Sequence, residues 1–254
     1  MADSGKTVLV TGAAKRIGRT IALALADSGW SVAVHCNTSA REAAETAAAI
    51  RAKGVRASVV AADLTREEEA ANLIARAADA MGPITALVNN ASVFENDTIE
   101  TASRASWDRH MEVNLRAPFV LAQAFARALP VDGDGAIVNI VDQRLFKPTP
   151  NFMSYSVSRA GLGWLTFTLA QALAPRIRVN AVAPGPTLAN ARQSAAHFRS
   201  QSRATILGRG STPADVAAAT LYLLGAPAVT GQILAVDGGQ HLVWRTADAI
   251  AETE

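Results

Sequence analysis

The sequence predicts an α/β fold built on a doubly wound parallel sheet, and two observations carry this prediction. Short β-branched and apolar runs alternate with alanine-rich helical stretches almost to the end of the 254 residues. The apolar runs, such as Val8-Leu9-Val10, are continuous instead of alternating with polar residues, which is typical of strands covered on both faces. We therefore expect strand–helix–strand units with right-handed connections.

Turn-forming residues separate the predicted elements. The predicted strands are Thr7–Val10, Ser31–Cys36, Ala57–Ala61, Ala86–Asn89, Gly135–Val141, Ile177–Ala183 and Ile233–Val236. The predicted helices are Ile17–Ser28, Ala40–Lys53, Arg66–Met81, Trp107–Leu129, Tyr155–Leu173 and Pro213–Leu224. Gly29, Gly54 and Gly82 are expected to end the first three helices. No linker or change of composition divides the chain, so we expect a single-domain Rossmann-type fold over residues 1–254.

The stretch after the sixth strand, about 184–210, departs from this alternation. It begins Pro184-Gly185-Pro186, is rich in serine, arginine and glutamine, and has only weak helical patterning. Such an insertion is usually a lid or substrate loop, and the alternative is a poorly ordered surface loop without a chemical role. The polar, acidic tail 245–254 is expected to fray, and 233–244 is a candidate subunit contact.

Composition and charge argue against several classes of function. The formal net charge is +2 and no long basic run occurs, so we predict no nucleic-acid partner and no membrane partner. No apolar run approaches the ~20 residues of a membrane span, and no signal-peptide pattern is present, which makes the cytoplasm the expected location. Cys36 is the only cysteine and no two histidines have ligand spacing, so we predict no metal site. His35 is expected to be structural.

A glycine-containing turn lies between the first strand and the first helix. Gly12 and Gly18 let the main chain approach a pyrophosphate, and the helix that begins at Ile17 offers free N–H groups and a positive dipole end. Arg16 occupies the position of the middle glycine and adds a guanidinium beside the phosphates. We predict a dinucleotide-binding site at this turn.

The end of the second strand indicates which dinucleotide binds. An NAD site usually has an Asp or Glu here that binds the ribose 2′-hydroxyl, and the sequence has none. Asn37, Thr38 and Ser39 stand there instead. The two hydroxyls and the charge of Arg16 favour a 2′-phosphate, and therefore NADP(H). The alternative is that Thr38 and Ser39 cap the next helix, which could coexist with phosphate contact.

Tyr155 and Arg159 are four residues apart, which puts both side chains on one face of a helix. The phenol can supply a proton, and a nearby cation favours its ionised form. We therefore predict an acid catalyst at Tyr155 and expect Arg159 to supply part of a downward shift of its pKa.

These features lie among motifs that together resemble the short-chain dehydrogenase/reductase family across nearly the whole chain. The resemblance rests on Thr11-Gly12…Gly18, Asp63-Leu64-Thr65, Asn89-Asn90-Ala91-Ser92, Asn114, Tyr155…Arg159, Pro184-Gly185 and Asp237-Gly238-Gly239. It implies that Tyr155 is the general acid, that Asn114 anchors a water chain and that Asp63 contacts the adenine.

The resemblance also implies a small-molecule substrate and a homo-oligomer, a tetramer or a dimer, in which long helices pair between subunits. It implies a set of cofactor-binding residues on the strand ends and in the loops that follow them. These are Gly12, Arg16, Ile17, Gly18, Asn37, Thr38, Ser39, Asp63, Leu64, Asn90, Ala91, Tyr155, Arg159, Pro184, Gly185 and Thr187.

Three details resemble the pteridine reductase branch of this family. Arg16 replaces the middle glycine, Phe94 stands where that branch stacks a pterin ring, and Asp142 replaces the usual catalytic serine. The resemblance implies that these three residues and Tyr155 contact the substrate, and that Asp142 suits an imine-like C=N acceptor. The alternatives are ordinary packing for Phe94 and a capping or loop-bracing role for Asp142.

Arg159 departs from the lysine that the family and this branch have at its position. In the family, lysine holds the nicotinamide ribose, lowers the tyrosine pKa and passes protons to the water chain. Arginine can do the first two, because it is a permanent cation with several donors. It is a poor proton carrier for the same reason. We expect reduced but not abolished catalysis, with Asp142 as another proton source.

Three functions remain open on the sequence. The first is an NADP-dependent reductase that transfers hydride to a C=N or C=O bond of a pterin or dihydrofolate-like compound. The second is a ketone or alcohol dehydrogenase that acts on a sugar, steroid or acyl substrate. The third, which Arg159 supports, is an NADP-binding protein with little activity. Phe94 and Asp142 favour the first.

Overall fold

The computed structural model describes residues 5–189 and 193–244, and its centre is one seven-stranded parallel sheet. The strands are β1 Thr7–Val10, β2 Ser31–Cys36, β3 Ala57–Ala61, β4 Ala86–Asn89, β5 Gly135–Ile140, β6 Ile177–Pro184 and β7 Ile233–Val236. Their order is β3-β2-β1-β4-β5-β6-β7, so the winding reverses between β1 and β4. The predicted Rossmann-type sheet is confirmed. Such a reversal opens a crevice at the carboxyl ends of the strands.

Helices cover both faces of the sheet. They are α1 Arg16–Asp27, α2 Ala40–Arg51, α3 Glu67–Met81, α4 Arg104–Met111, α5 Ala117–Ala128, α6 Met153–Leu173, α7 Ala195–Arg203 and α8 Pro213–Gly225. Val8 and Val10 pack into one core with α1, α2 and α8, whereas Leu9 packs into the other with α3, α5 and α6. Each fully buried aliphatic side chain contributes roughly 1.5–3 kcal/mol. The continuous apolar strand runs are explained by this burial on both faces.

The helix predicted over Trp107–Leu129 is three elements in the structure. α4 begins earlier, because Ser103 and Ser106 form a reciprocal capping box at its start. A π-helical turn, Glu112–Arg116, then joins α4 to α5. Such turns are often found at functional sites, and this one carries Asn114.

The segment predicted as irregular, 184–210, contains the helix α7. Ser194 caps this helix, and none of its residues is buried, so no apolar stripe announced it in the sequence. Residues 190–192 of the segment lie outside the described residues, as does the tail 245–254. The candidate contact segment 233–244 forms β7 and the short 3₁₀ helix Gln240–Leu242.

The described residues, 5–189 and 193–244, lack both a membrane-spanning helix and a cluster of metal ligands. Neither range contains a helix long and apolar enough to cross a membrane. Within 5–189 and 193–244, no three His, Cys, Asp or Glu side chains are grouped to hold a metal ion.

Candidate active site

His35, at the end of β2, holds the glycine turn in place. The N–H of Gly12 donates to Nδ1 of His35 at 3.0 Å, and Nε2 lies 3.1 Å from the carbonyl oxygen of Ala62. Because Nδ1 accepts, the proton of the neutral ring lies on Nε2 and is donated to Ala62. Burial lowers the pKa of His35 to about 4, so the ring is neutral at pH 7. The expected structural role agrees with these contacts.

Asn90 and Thr11 fix the same turn against β4. Nδ2 of Asn90 donates to the carbonyl oxygens of Thr11 at 2.8 Å and Gly12 at 3.2 Å. The Thr11 hydroxyl accepts from the N–H groups of Asn90 and Ala91 at 2.9 and 3.0 Å. A Cβ at Gly18 would collide with the Gly12 carbonyl oxygen, so only glycine lets α1 approach the turn this closely. The first N–H groups of α1 have no acceptor inside the helix.

A cavity of about 520 Å³ opens beside this turn, a volume within the usual range for ligand sites. The structure brings most of the predicted nucleotide residues to its wall, namely Gly12, Arg16, Ile17, Gly18, Asn37, Asp63, Leu64, Asn90 and Ala91. Asp63 is half-buried, and its Oδ1 accepts from the N–H and the hydroxyl of Thr65 at 3.0 and 2.8 Å. Thr38, Ser39, Pro184, Gly185 and Thr187 are not part of this wall.

The side chains of the three residues after β2 are polar and make no hydrogen bond with the described part of the chain. Ser39 occupies the N-cap position of α2, but its side chain makes no capping hydrogen bond. Asn37 and Thr38 are exposed. Lys15, the residue before α1, reaches Glu42 in the first turn of α2 with Nζ and Oε1 3.3 Å apart. The capping alternative is therefore not what Ser39 does here, and its hydroxyl remains able to bind a phosphate.

Arg16 bridges the glycine turn and the segment after β6. Its Nη1 and Nη2 donate to the carbonyl oxygens of Ala189 and Leu188 at 3.1 and 3.4 Å. Its φ of +54° lies in the left-handed region that a residue other than glycine adopts at some cost. The arginine at the middle-glycine position thus lies between the two segments predicted to hold cofactor and substrate.

Tyr155 and Asp142 form a hydrogen-bonded pair. The hydroxyl of Tyr155, in the first turn of α6, donates to Oδ2 of Asp142, just after β5, at 2.8 Å. Burial raises the pKa of Tyr155 and the charge of Asp142 raises it further, while Arg159 acts in the opposite direction. The expected lowering was therefore wrong for the net pKa, because burial and Asp142 outweigh the cation. Tyr155 keeps its proton at neutral pH, as a general acid must.

Arg159 is buried against the ring of Tyr155. Its guanidinium carbon lies 5.5 Å from the ring centroid, and Nη1 donates to the carbonyl oxygen of Ile140 at 3.0 Å. Nε is buried and, among the described residues, has no hydrogen-bond partner. No carboxylate of residues 5–189 or 193–244 makes an ion pair with it. The site therefore contains a buried cation beside the tyrosine, as the spacing predicted.

Asn114 fixes the loop that carries Phe94. Its Oδ1 accepts from the N–H of Val93 at 2.8 Å, and its Nδ2 donates to the carbonyl of Val93 at 2.9 Å and to the Ser158 hydroxyl at 3.1 Å. The Ser158 hydroxyl in turn donates to the carbonyl oxygen of Tyr155 at 2.6 Å. Asn114 is fully buried, so it connects this loop to the helix of the tyrosine.

Phe94 packs against two other aromatic residues. Its ring stacks on Phe152 with centroids 4.6 Å apart and planes 5° apart. It also meets the ring of Tyr155 edge-on, with centroids 4.7 Å apart. One face of Phe94 is thus covered by Phe152, so the packing alternative holds for that face. Asp142 likewise caps the short 3₁₀ helix Gln143–Leu145 while it accepts from Tyr155.

The remaining predicted cofactor residues follow β6. Gly185 lies so close to Asp237 that a Cβ would collide with it, and its N–H donates to the carbonyl of Val236 at 3.1 Å. Thr187 is buried, with its hydroxyl 3.0 Å from the Gly185 carbonyl and 2.7 Å from the Ser211 hydroxyl. Pro184 ends the strand itself.

Sequence reasoning missed two features of the site. One is Arg144, whose Nη1 lies 3.3 Å from Oδ2 of Asp142. The other is a buried chain in which the Ser154 hydroxyl meets Nδ1 of His110 at 2.7 Å and donates to Asp97. The N–H of Glu95 donates to Nε2 of His110 at 3.2 Å, so the ring proton lies on Nδ1 and points to Ser154. No spacing in the sequence signals either contact.

Comparison with known proteins identifies the family. A family model described as short chain dehydrogenase matches residues 6–200. The curated relatives include the 3beta-hydroxysteroid dehydrogenase 1 of Eggerthella lenta, which is 36% identical over 246 residues that cover 94% of this chain and 94% of that protein.

Two solved structures extend this likeness. FolM alternative dihydrofolate reductase 1 from Brucella canis, complexed with NADP, is 46% identical with a TM-score of 0.93, covering 97% of this chain and 98% of that one. Angucycline C-6 ketoreductase LanV with bound NADP is 32% identical with a TM-score of 0.87, covering 95% and 97%. The chain therefore belongs to the short-chain dehydrogenase/reductase family of NAD(P)-dependent oxidoreductases.

Proposed function

We propose that the protein is an NADP-dependent reductase that transfers hydride to a C=N or C=O bond of a small heterocycle, with dihydropterins or dihydrofolate-like compounds as the substrate class. The observation that carries this proposal is the 2.8 Å hydrogen bond from Tyr155 to Asp142, a carboxylate where most of the family has a serine. The 46% identity to a structure named as an alternative dihydrofolate reductase supports the same class.

The residues around the glycine turn fit NADP(H) better than NAD(H). The first carboxylate after β2 is Glu42, which is engaged with Lys15. Asn37, Thr38 and Ser39 would receive the 2′-phosphate, and the charged Arg16 lines the same cavity as Asn37. The free N–H groups at the start of α1 would hold the pyrophosphate. The 520 Å³ cavity would take the adenosine beside Asp63 and Leu64.

The chain's own contribution to the reaction is a proton donor, the hydroxyl of Tyr155, held in a fixed position. When bound, NADPH supplies the hydride. Tyr155 holds the proton on its hydroxyl oxygen, because burial and Asp142 raise its pKa. Asp142 orients that hydroxyl by accepting from it. Arg159, 5.5 Å from the ring, stabilises the negative charge that Tyr155 acquires once the proton has left.

A carboxylate beside the acid favours nitrogen heterocycles over ketones. An ionised Asp142 can only accept hydrogen bonds. A heterocycle offers an N–H for it to accept, whereas a ketone offers an oxygen that it would repel. The face of Phe94 that Phe152 leaves uncovered is where a planar ring could stack.

The second candidate is a ketone or alcohol dehydrogenase. Tyr155 can protonate a carbonyl oxygen as well as an imine nitrogen. The likeness to a ketoreductase and a hydroxysteroid dehydrogenase, at 32% and 36% identity, favours this reading. The third candidate, an NADP-binding protein with little catalysis, has the permanently charged Arg159 in its favour.

We also propose that the chain acts as one domain in a cytoplasmic homo-oligomer, a tetramer or a dimer. α5 and α6 share an apolar hollow of about 700 Å³ with the π-helical turn, lined by Met111, Leu115, Arg116, Phe119, Val157, Ala160, Gly161, Trp164 and Leu165. Trp164 is 70% exposed in the single chain. Isolated proteins seldom leave such a patch open, and a second copy of α5 and α6 offers the same apolar surface.

A substrate panel tests the proposed function. Purified protein is mixed with NADPH and 7,8-dihydrobiopterin, and the loss of NADPH absorbance is followed. We expect dihydropterin-dependent oxidation, with a lower kcat/KM when NADH replaces NADPH. Oxidation with steroid, sugar or acyl ketones but not with dihydropterins would favour the second function. NADPH binding without oxidation by any compound would favour the third.

A further inference from the structure

Arg144 is a second cation at the carboxylate of Asp142, and the proposed mechanism does not use it. It lies in the 3₁₀ helix Gln143–Leu145. Its Nη1 lies 3.4 and 3.3 Å from Oδ1 and Oδ2 of Asp142. Its guanidinium carbon lies 4.9 Å from the ring centroid of Phe152 and 5.6 Å from that of Phe94. Arg144 thus joins the carboxylate to the aromatic pair.

The acceptor sites of Asp142 are fully occupied. Oδ1 accepts from the N–H of Arg144 at 2.8 Å and from Nη1, and Oδ2 accepts from Tyr155 at 2.8 Å and from Nη1. A carboxylate has about four lone-pair sites. A substrate N–H can therefore bind Asp142 only if one donor leaves. The bonds to Nη1 are the longest of the four, and hence the weakest, so the guanidinium is the donor that yields.

The guanidinium has unused donors for a substrate oxygen. Nε of Arg144 is buried and, within the described part of the chain, has no partner. Asp142 is the only acceptor that the described residues offer to this side chain. A buried donor without an acceptor is costly, so an oxygen that accepts from it is bound more tightly. The rings of Phe94 and Phe152 can hold the cation while its hydrogen bonds change.

We propose that Arg144 determines substrate specificity by exchanging Asp142 for an oxygen of the substrate. On binding, the guanidinium donates to a substrate carbonyl, and Asp142 accepts the adjacent substrate N–H in its place. Both groups then keep their partners only if the substrate offers an acceptor beside a donor, as a ring amide does. A ketone offers the acceptor alone, so the exchange would leave Asp142 one donor short. The inference rests on the proposed function and narrows its substrate class to cyclic amides such as the oxo-pyrimidine edge of a pterin.

Kinetics of Arg144 variants test this inference. Arg144→Gln removes the charge, and Arg144→Lys keeps the charge but loses the planar, two-pronged set of guanidinium donors. Arg104→Gln is the matched control, because Arg104 pairs with Asp108 on the exposed face of α4. Each variant is assayed with NADPH against 7,8-dihydrobiopterin and against 9,10-phenanthrenequinone, which has carbonyl oxygens but no N–H. NADPH binding is followed separately by its fluorescence.

We expect Arg144→Gln to raise KM for the dihydropterin roughly 10- to 100-fold, the loss expected for a hydrogen bond to a charged group, with a smaller change in kcat. The KM for the quinone and the affinity for NADPH should stay near the wild-type values. The dihydropterin KM of Arg144→Lys should lie between those of wild type and Arg144→Gln. An unchanged dihydropterin KM in Arg144→Gln, with wild-type turnover intact, overturns the inference alone. Quinone reduction without any dihydropterin turnover by the wild type overturns the proposed function itself. If Arg144→Gln fails to bind NADPH, the dihydropterin KM of Arg144→Lys is the test instead, and an unchanged value overturns the inference.

Discussion

Arg159 supplies a fixed charge to the site and no transferable proton. It is buried, it lies 5.5 Å from the ring of Tyr155, and it is anchored to the carbonyl of Ile140. A guanidinium stays protonated under all conditions that a protein survives. In the proposed mechanism, the proton that Tyr155 gives up must then be replaced by water or through Asp142.

Replacing Arg159 by lysine should raise kcat, because an ammonium can release and regain a proton. Arg159→Met should instead lower kcat roughly tenfold or more, since the charge that stabilises the phenolate is gone. Both are measured as kcat with NADPH and the best substrate of the panel. Equal kcat in the arginine and lysine enzymes would count against a limit set by proton return.

His35 should make the stability of the protein depend on pH. Its folded pKa of about 4 lies below the ordinary 6.5, so the unfolded chain binds more protons between these values. The stabilisation is complete above pH 6.5 and is lost as the pH falls toward 4. At pH 5 the expected loss is about 2 kcal/mol.

Urea unfolding of wild type and His35→Asn at pH 7 and pH 5 checks this expectation. Asparagine can accept from Gly12 but does not titrate. The stability difference between the two proteins should shrink by about 2 kcal/mol at the lower pH. Parallel pH dependences in wild type and variant would contradict the assignment.

Side-chain contacts that depend on a turn or on a long sequence separation are the part of the site that the sequence could not predict. Tyr155 and Arg159 are found from helical spacing alone. Helical spacing does not predict the contact between Arg144 and Asp142, because that contact depends on the turn after β5. The network of Asp97, His110 and Ser154 joins residues 44 and 57 positions apart.

At the scale of elements, the exposed apolar surface of α5 and α6 is the proposed contact with a second copy of the chain. Trp164→Glu places a charge in the apolar hollow and should convert the proposed oligomer to a smaller species. Val131→Glu is the control, since Val131 is exposed in the connection before β5. Size-exclusion chromatography with light scattering measures both. Unchanged mass for Trp164→Glu would contradict an interface on these helices.

Elements that bury a run or a face of apolar residues were predicted well, and the helix that buries none was not predicted. β1 to β4 and β7 match their predicted bounds, since continuous apolar runs end at turn residues. α7 was missed because it buries nothing. The π-helical turn Glu112–Arg116 was not distinguished from α4 and α5, because the sequence of all three was read as one continuous helix.

At the scale of the molecule, the strand order brings the dispersed motifs together. The carboxyl ends of parallel strands meet at one edge of the sheet, so motifs after β1, β2, β3, β4 and β5 become neighbours. The alternation of strands and helices was enough to predict this meeting. It was not enough to predict how burial and Asp142 together raise the pKa of Tyr155, because that depends on packing in the folded chain.

The exchange of Asp142 for serine is the most direct measurement of the central claim. Serine restores the residue that most of the family has, and its hydroxyl can still contact Tyr155. The measurement is kcat/KM for 7,8-dihydrobiopterin and for a ketone, with NADPH, in wild type and Asp142→Ser. We expect the dihydropterin value to fall roughly 10-fold or more, the effect of losing a hydrogen bond to a charged group, while the ketone value holds or rises. Unchanged dihydropterin reduction in Asp142→Ser would contradict a role for this carboxylate in selecting the substrate.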